Sequence, residues 1–364
     1  MKRLARIPAC ALGLVIGAGG LGCGRPANLR DVDAADDGGP DHWDVGVPDG
    51  GPECMDAPGE VPLPPSCVGL SETCGPNGNE SCCTTIFVPG GTFNRSNDEL
   101  YPATVADFWL DRYEITVGRY RKFLAANVWS RANPPAPGTG AHPLIPGSGW
   151  NPSWNGELPP PPAREPYVGF ACGWAASKDG SQNAPEGSLC WQEAFLFCAW
   201  DGGRLPTEAE WNYAAAGGSE QRRYPWSSPP SSRTIDDSYA VYCGGSCDSS
   251  QNVGSKSPKG DGRWGHADLA GNVLEWTLDL CHRGLGPYDY AYPLPCNYSY
   301  PLPCNTCANL DFDLPSQTWH VVRGGDFRLS APYLDTGYRE LGATYNADGS
   351  SSISAGARCA RSAQ

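Results

Sequence analysis

Glycine and proline set the strongest limit on what this chain can fold into. They account for 46 and 36 of its 364 residues, more than a fifth of the chain. Proline lacks a backbone donor, and both residues interrupt regular helices and strands. The length suits one large domain with appendages, or two domains. We therefore expect short elements joined by many turns and long loops.

Charge excludes one class of partner. The chain has 26 Lys and Arg against 40 Asp and Glu, a net charge of −14. Nucleic-acid binding depends on basic side chains that neutralise phosphates, so we expect no nucleic-acid partner. Much of the acidity lies between residues 24 and 60, where Asp, Gly, Pro and Ala dominate. Such a segment buries too little apolar surface to fold, so residues 23–66 are predicted to be a disordered spacer behind a modified N-terminus.

The N-terminus has the pattern of an export signal. Basic residues at positions 2, 3 and 6 precede the apolar stretch 11–21, which is too short to span a bilayer. Residues 1–22 are therefore predicted to be a signal peptide. The sequence GLGC at 20–23 is similar to a bacterial lipobox. We expect Cys23 to be lipidated and the exported chain to be anchored through its lipid to the bacterial cell envelope, at the outer membrane or surface. Ordinary cleavage would instead give a periplasmic or secreted protein.

Cysteines are abundant, with 17 in the chain. Loss of Cys10 with the signal peptide and lipidation of Cys23 would leave 15, an odd number. In an exported protein, most are expected to form disulfides. Four lie at positions 67, 74, 82 and 83, with gaps that differ from the paired spacing of zinc sites. This spacing predicts a small disulfide knot over residues 67–83.

One loop carries a sequence duplication. Residues 292–297 and 300–305 both read YPLPCN. Copying this loop adds a cysteine without a partner, which accounts for the odd number. The second copy begins a C-x-x-C spacing between Cys304 and Cys307. That spacing alone is weak support for metal or redox chemistry, and it favours a disulfide.

The main domain is predicted over residues 84–364. Its first segment, IFVPGGTF at 86–93, reads as a strand, a turn and a second strand. Thr207 and Glu210 form a capping-box pattern that starts a helix. Apolar residues at helical spacing predict the other helices. The predicted helices begin near residues 117, 191 and 208.

Six short segments of this region form a specific combination. The two most specific are GRLPTEAEWNYAA at 203–215 and DLAGNVLEW at 268–276. The others are VPGGTF at 88–93, DRYEIT at 111–116, RGG at 323–325 and GARC at 356–359. Together, and in this order, they resemble the formylglycine-generating-enzyme family, also called sulfatase-modifying factors. The resemblance covers roughly residues 84–364.

The resemblance implies a fold that agrees with the local patterns. The family has an α+β variant of the C-type-lectin-like fold, which is rich in loops and has a small antiparallel sheet and a few helices. The turns, short strands and three helices expected from the residues are consistent with it.

The resemblance also raises a doubt about catalysis. Family members that make formylglycine bind copper through two cysteines shortly after the RGG motif. Counted from the glycines without gaps, those positions hold Leu329 and Leu334 here, and no cysteine lies between Cys307 and Cys359. Thiolates suit Cu(I) and leucine cannot replace them. We therefore expect neither copper nor formylglycine-generating activity, although whether any enzyme activity remains is left open.

Two further expectations come from the family. The family's active form has two disulfides in this region: one would join Cys198 to Cys359, and the other would use the positions that hold Ala215 and Arg339 here. Its calcium site would use the side chains of Asp268 and Glu275 with the carbonyl groups of Gly271 and Val273. Hard oxygen ligands on a tight turn suit Ca²⁺.

Three functions remain in competition. The first is a non-catalytic pseudoenzyme that binds an unidentified protein, peptide or glycan, for which Trp150, Trp154 and Trp174 are candidate stacking residues. The second is a copper- or metal-dependent oxidoreductase with rewired ligands. The third is a partner that binds sulfatase peptides without converting them. The five histidines, at 42, 142, 266, 282 and 320, lack the spacing of an iron site.

Overall fold

Short strands and three helices make up the computed structural model of the protein. It describes residues 61–158, 181–244, 249–281, 301–310, 319–342 and 355–363. The predicted signal peptide, Cys23, most of the spacer and the first copy of the duplicated loop lie outside these residues. The described residues belong to one compact unit, Asp56–Gln364.

The strands form three small sheets. In chain order they are β1 (Thr85–Val88), β2 (Gly91–Asn94), β3 (Pro102–Val105), β4 (Phe108–Asp111), β5 (Leu274–Cys281), β6 (Cys304–Asn305), β7 (Trp319–Arg323), β8 (Glu340–Gly342), β9 (Ala355–Gly356) and β10 (Ala360–Ser362). The sheet orders are β1-β4-β10, β2-β3-β6 and β8-β7-β5-β9. Pairing is antiparallel except between β3 and β6 and between β5 and β9.

The helices are α1 (Val117–Ala126), α2 (Trp191–Trp200) and α3 (Glu208–Ala215). Thr116 caps α1 by accepting a hydrogen bond from the backbone N–H of Arg119. At the start of α3, the Thr207 hydroxyl accepts from the N–H of Glu210 at 3.1 Å, and the Glu210 carboxylate accepts from the N–H of Thr207 at 2.8 Å. This is the predicted capping box, which satisfies two otherwise unpaired donors.

The largest core lies between α1, α2 and the sheet that contains β5 and β7. Its buried side chains include Trp191, Phe195 and Trp276. The disulfide between Cys198 and Cys359 lies in this core and joins α2 to the C-terminal segment across 161 positions. Closing so long a loop lowers the entropy of the unfolded chain.

The segment before β1 is a two-disulfide knot, with bonds between Cys67 and Cys83 and between Cys74 and Cys82. Glu80 joins the knot to the rest of the unit. Its carboxylate accepts from the guanidinium of Arg112 at 2.7 Å and from the hydroxyl of Tyr113 at 2.6 Å. In the part of the chain that is described, no helix is long and apolar enough to cross a membrane.

Candidate functional site

The most specific motifs meet at a buried charge centre. Arg358, on the loop between β9 and β10, is fully buried. Its guanidinium donates to both carboxylate oxygens of Glu275 at the start of β5, with Nε to Oε2 at 2.8 Å and Nη2 to Oε1 at 2.7 Å. Trp211 of α3 donates from its indole nitrogen to the same Oε2, also at 2.8 Å. Glu275 therefore links three segments of the chain through charge-assisted bonds.

Two more carboxylates complete this centre. Glu114, which follows β4, accepts from the side-chain amide of Asn272 at 2.6 Å and from the backbone N–H of Val273 at 3.2 Å. Asp268 accepts from the backbone N–H of Gly254 at 2.6 Å. Glu114 is completely buried and Asp268 is 8% exposed. The turn that contains the DLAGNVLEW motif thus holds side chains from distant segments.

The charges of the centre do not balance. Three carboxylates, those of Glu114, Asp268 and Glu275, lie close enough to interact electrostatically with the one guanidinium of Arg358. Burial, followed by the charges of the neighbouring carboxylates, raises the pKa of Glu114 well above its usual value. Burial raises the pKa of Asp268 to about 6. Removal from water disfavours the ionised forms, and repulsion between carboxylates adds to this effect.

The residues predicted to bind calcium are in this turn. Glu275 already accepts three N–H donors, and a carboxylate has about four lone-pair sites, so it retains room for one further ligand bond. Asp268 adopts a left-handed backbone conformation with φ of 56°, which Asp tolerates better than most residues. The oxygens are chemically suited to Ca²⁺. Within the described residues, no group of three or more His, Cys, Asp or Glu side chains is arranged to hold a metal ion.

The segment after the RGG motif contributes leucines to an apolar cluster, in contrast to the charged side chains of the charge centre. Leu329 and Leu334 are 6% and 1% exposed and pack in an apolar cluster with Tyr224, Ala240 and Ala270. The backbone approaches this cluster closely, because a Cβ added at Gly325 would lie 2.9 Å from the Cδ1 of Leu334. Both positions expected to hold copper ligands are therefore part of a hydrophobic core.

A series of stacked aromatic rings flanks this leucine cluster. The rings of Tyr224 and Trp226 have centroids 5.3 Å apart and planes inclined by 14°, and those of Trp226 and Tyr239 are 5.3 Å apart and inclined by 23°. The ammonium group of Lys259 lies 4.0 Å from the ring centroid of Tyr239. Tyr224 is buried, whereas Trp226 and Tyr239 are half-buried. We call Tyr224, Trp226 and Tyr239 the aromatic series.

The tryptophans that the sequence analysis proposed for ligand stacking are not part of the aromatic series. Trp150 is 1% exposed and lies in the core, where its ring meets Trp154 edge-on at 5.3 Å. Trp154 packs edge-on against Trp191. These two side chains are therefore used mainly for core packing. Trp174 lies outside the described residues.

The cysteines whose side chains are described are all bonded. Ten of them form disulfides, including those between Cys198 and Cys359 and between Cys304 and Cys307. Among these ten there is no free thiol that could bind copper.

The described histidines are separated from one another. His142 lies 3.3 Å from the Glu210 carboxylate, and His320 stacks on Trp191 at 3.9 Å. Burial lowers the pKa of both His266 and His320 to about 3, so both are neutral at physiological pH. The other two, His42 and His282, lie outside the described residues.

Sequence reasoning missed two members of the charge centre, Glu114 and Arg358. Both lie inside segments that carry the family resemblance, DRYEIT and GARC, where each is flanked by apolar residues. A charged residue in an apolar motif is a usable signal of a buried ion pair, because such a charge is rarely buried without a partner. The sequence does not indicate which partner it has.

The fold and the charge centre define an α+β domain whose motifs converge on one buried turn, as the family resemblance implies. Residues 71–363 match the family described as the sulfatase-modifying factor enzyme 1-like domain, and the chain belongs to that family. The fold predicted from the resemblance is confirmed.

Named relatives include active and inactive proteins. The chain is 26% identical over 317 residues to a formylglycine-generating enzyme of Thermomonospora curvata, covering 76% of this chain and 92% of that protein. It is 34% identical over 103 residues to an inactive C-alpha-formylglycine-generating enzyme 2 of Bos taurus, covering 24% of this chain and 31% of that protein. A solved structure of PvdO from Pseudomonas aeruginosa is similar, with a TM-score of 0.49 and 20% identity over 77% of this chain and 94% of that one.

Proposed function

We propose that this protein is an exported, lipid-anchored pseudoenzyme of the family that binds a peptide or glycan without converting it. One observation carries the proposal: Leu329 and Leu334 are packed in an apolar core, and an ungapped count from the RGG motif assigns them to the positions of the copper-binding cysteines. A hydrocarbon side chain neither coordinates Cu(I) nor transfers electrons. The ten described disulfide cysteines add support, because none of them is a thiolate.

The test is oxidation of a peptide. The purified mature chain is loaded with Cu(I), incubated in air with a Cys-x-Pro-x-Arg peptide and analysed by mass spectrometry. An active formylglycine-generating enzyme is the positive control. We expect no aldehyde product. Aldehyde product would overturn the proposal and favour an oxidoreductase with rewired copper ligands.

The aromatic series is the proposed ligand-binding surface. Trp226 is oriented by a hydrogen bond from its indole nitrogen to the carbonyl of Thr234 at 2.9 Å, so its half-exposed ring is held in place. Aromatic faces stack on sugar rings and on peptide side chains at low entropic cost. Screening the full chain on glycan and peptide arrays tests this assignment, with Trp226→Ala as the test variant. Trp129→Ala, outside the series, is the matched control. Signals unchanged in Trp226→Ala would exclude the surface.

Calcium is the proposed structural ion of the charge centre. The excess of buried negative charge and the oxygen chemistry of Asp268 and Glu275 support it, together with the carbonyl groups of Gly271 and Val273. Such an ion would neutralise the carboxylates and rigidify the turn. Elemental analysis of the purified chain should find about one calcium per molecule, as the single proposed site requires.

The lipid anchor is tested by changing Cys23 to Ser. The wild-type chain should partition into detergent and carry a fatty-acid label, because acyl chains supply most of the membrane affinity of such proteins. The variant should lose the label and appear in the aqueous phase. A soluble, unlabelled wild-type chain would support ordinary export instead.

A further inference from the structure

The Cys304–Cys307 disulfide differs from the core disulfide between Cys198 and Cys359 in its surroundings. Its two cysteines are three positions apart, whereas Cys198 and Cys359 are 161 apart and completely buried. Cys304 is 5% exposed and packs in the core beneath β2 and β3, whereas Cys307 is half-buried. One sulfur of the pair is therefore protected, and the other can be approached from solvent.

A buried cation lies at the approachable sulfur. Nη1 of Arg95 is 3.7 Å from the Sγ of Cys307, within hydrogen-bonding distance for sulfur. Arg95 is 1% exposed and its Nη2 donates to the carbonyl of Pro301 at 2.7 Å, which holds the guanidinium in position. A neighbouring guanidinium stabilises a thiolate, and a thiolate is both the nucleophile and the leaving group of disulfide exchange.

The ring closed by this disulfide is also strained. Thr306, between the two cysteines, has φ of 49°. A β-branched residue is a genuine outlier in the left-handed region. The N–H of Thr306 donates to the carbonyl of Thr104 at 2.8 Å, which fixes the strained turn against β3. Opening the disulfide releases one constraint on this turn, so reduction is favoured here over an unstrained pair.

The surface beside the disulfide is apolar. Leu302 is 54% exposed, and Pro303 next to it is exposed as well. In the described part of its sheet, β6 is the last strand and pairs on one side with β3. An exposed strand edge with an apolar side chain suits an extended, unfolded segment.

We propose that Cys304–Cys307 is a thiol–disulfide exchange site that oxidises a dithiol in an extended segment of a client protein or peptide. A client thiolate attacks the Sγ of Cys307, the bond to Cys304 breaks, and Cys304 leaves and takes up a proton. The second client thiolate then attacks the client sulfur of the mixed disulfide and releases Cys307 as a thiolate beside Arg95. The client loses two electrons and becomes a disulfide, and the Cys304–Cys307 pair gains them and becomes a dithiol.

The direction follows from the state of the chain. The ten described disulfide cysteines are bonded in the structure, which agrees with the export proposed above and with the oxidising compartment that export implies. The pair therefore meets its client as a disulfide. This site is separate from the leucine cluster, and the inference is independent of whether the domain makes formylglycine.

The first measurement is the order of reduction. The full mature chain is equilibrated in graded dithiothreitol buffers, quenched with an alkylating reagent and digested, and each disulfide is quantified by mass spectrometry. We expect Cys304–Cys307 to open in the mildest buffer and Cys198–Cys359 to remain closed. Equal or later opening of Cys304–Cys307 would overturn the proposal.

The second measurement is transfer to a client. A reduced peptide with two cysteines is mixed with the chain under argon. One peptide disulfide should form for each Cys304–Cys307 pair that opens. The Cys304→Ser/Cys307→Ser chain should give none, and a Cys74→Ser/Cys82→Ser chain should give the wild-type amount. Equal peptide oxidation by wild type and by Cys304→Ser/Cys307→Ser would overturn the proposal.

The role of Arg95 is tested by the rate at which the mixed disulfide releases Cys307. Arg95→Gln should make the mixed disulfide persist roughly tenfold longer, because its leaving thiolate loses a cationic neighbour. Arg95→Lys keeps the charge and should restore most of the rate. Circular dichroism checks that both variants are folded. Equal lifetimes in Arg95→Gln and wild type would remove Arg95 from the mechanism.

Discussion

The charge centre and the leucine cluster are neighbours with opposite chemistry. They are joined where the N–H of Gly271 donates to the carbonyl of Gly324 at 2.9 Å and the N–H of Phe327 donates to the carbonyl of Asn272 at 3.1 Å. On one side of this junction, buried carboxylates surround Arg358. On the other side, leucines pack with aromatic side chains in an apolar cluster. The chain thus has the buried polar framework that forms the turn and, beside it, a hydrocarbon core that includes the two positions where we expect the family's copper-binding cysteines.

This difference shows that a family motif can be needed for folding and does not by itself indicate catalytic activity. The residues of the charge centre hold β5, α3 and the C-terminal loop together, and Glu114, Glu275 and Arg358 each make two or more buried hydrogen bonds. Removing one partner of such a pair is costly even in a protein without activity. Copper ligands do not hold segments of the fold together in this way, and leucine can occupy their space.

The largest predicted effect is on the charge centre. Arg358→Met should lower the free energy of unfolding by about 3–5 kcal/mol, because it leaves Glu275 buried without its cation. Urea denaturation measures the loss. The matched control is Lys259→Met, since Lys259 and Asp236 are 48% and 60% exposed in their ion pair and a pair exposed on both sides contributes little to stability. Equal effects of the two substitutions would show that the centre does not stabilise the fold.

Shortening a leucine of the leucine cluster should destabilise the fold, as it does in a packed hydrophobic core. Leu334→Ala should cost about 2–5 kcal/mol, because Leu334 is 1% exposed and its removal leaves a cavity. Thermal and urea unfolding measure the change. Leu302→Ala is the control, since Leu302 is 54% exposed and should change stability by less than about 0.5 kcal/mol. A negligible cost for Leu334→Ala would mean that this position is not packed.

The next effect depends on pH and on Asp268. Its pKa is raised in the folded chain to about 6, so the folded state holds the proton more tightly than the unfolded state. The contribution of Asp268 to stability is therefore present in acid and is lost as the pH rises through about 6. In chelator, wild type should lose roughly 2.4 kcal/mol relative to Asp268→Asn between pH 4 and pH 7.5. A difference that stays constant with pH would contradict the raised pKa.

Bound calcium should offset the loss of stability that ionised Asp268 causes at neutral pH. With calcium at about 100 times its Kd, the folded state should gain roughly 2.7 kcal/mol. Calorimetry with and without chelator measures the resulting fall in Tm. Asp268→Asn, which keeps a side-chain oxygen but loses the charge, should show a smaller fall. A wild-type Tm that is unaffected by chelator, in protein shown to be metal-free, would exclude the site.

Local sequence signals predicted where the helices begin. The Thr207–Glu210 capping box and the Thr116 cap fix the starts of α3 and α1 by contacts over three residues, which a sequence displays directly. The fold class could be predicted from the resemblance, because its motifs occur in the family order. The position of the proposed calcium ligands on one turn also follows from a continuous run of sequence.

Long-range partners could not be predicted in the same way. Arg358 and Glu275 are 83 positions apart, and nothing local pairs them. The aromatic series depends on how residues 224 to 239 fold back on themselves, and the serine- and proline-rich sequence there has no helical or strand periodicity. The contact between Arg95 and Cys307 joins positions 212 apart, and it changes the interpretation of a C-x-x-C spacing that was weak on its own.

Cu(I) titration tests the central claim most directly. The mature chain competes with a chromogenic Cu(I) chelator under argon, after alkylation of any free thiols, beside the Leu329→Cys/Leu334→Cys variant in its reduced, unalkylated form. The account predicts that the wild-type chain removes no copper from the chelator and that the variant removes about one equivalent, because paired thiolates are suited to Cu(I). One tightly held copper in the alkylated wild-type chain would contradict it, since the domain would then hold the metal without the two positions where the family has cysteines.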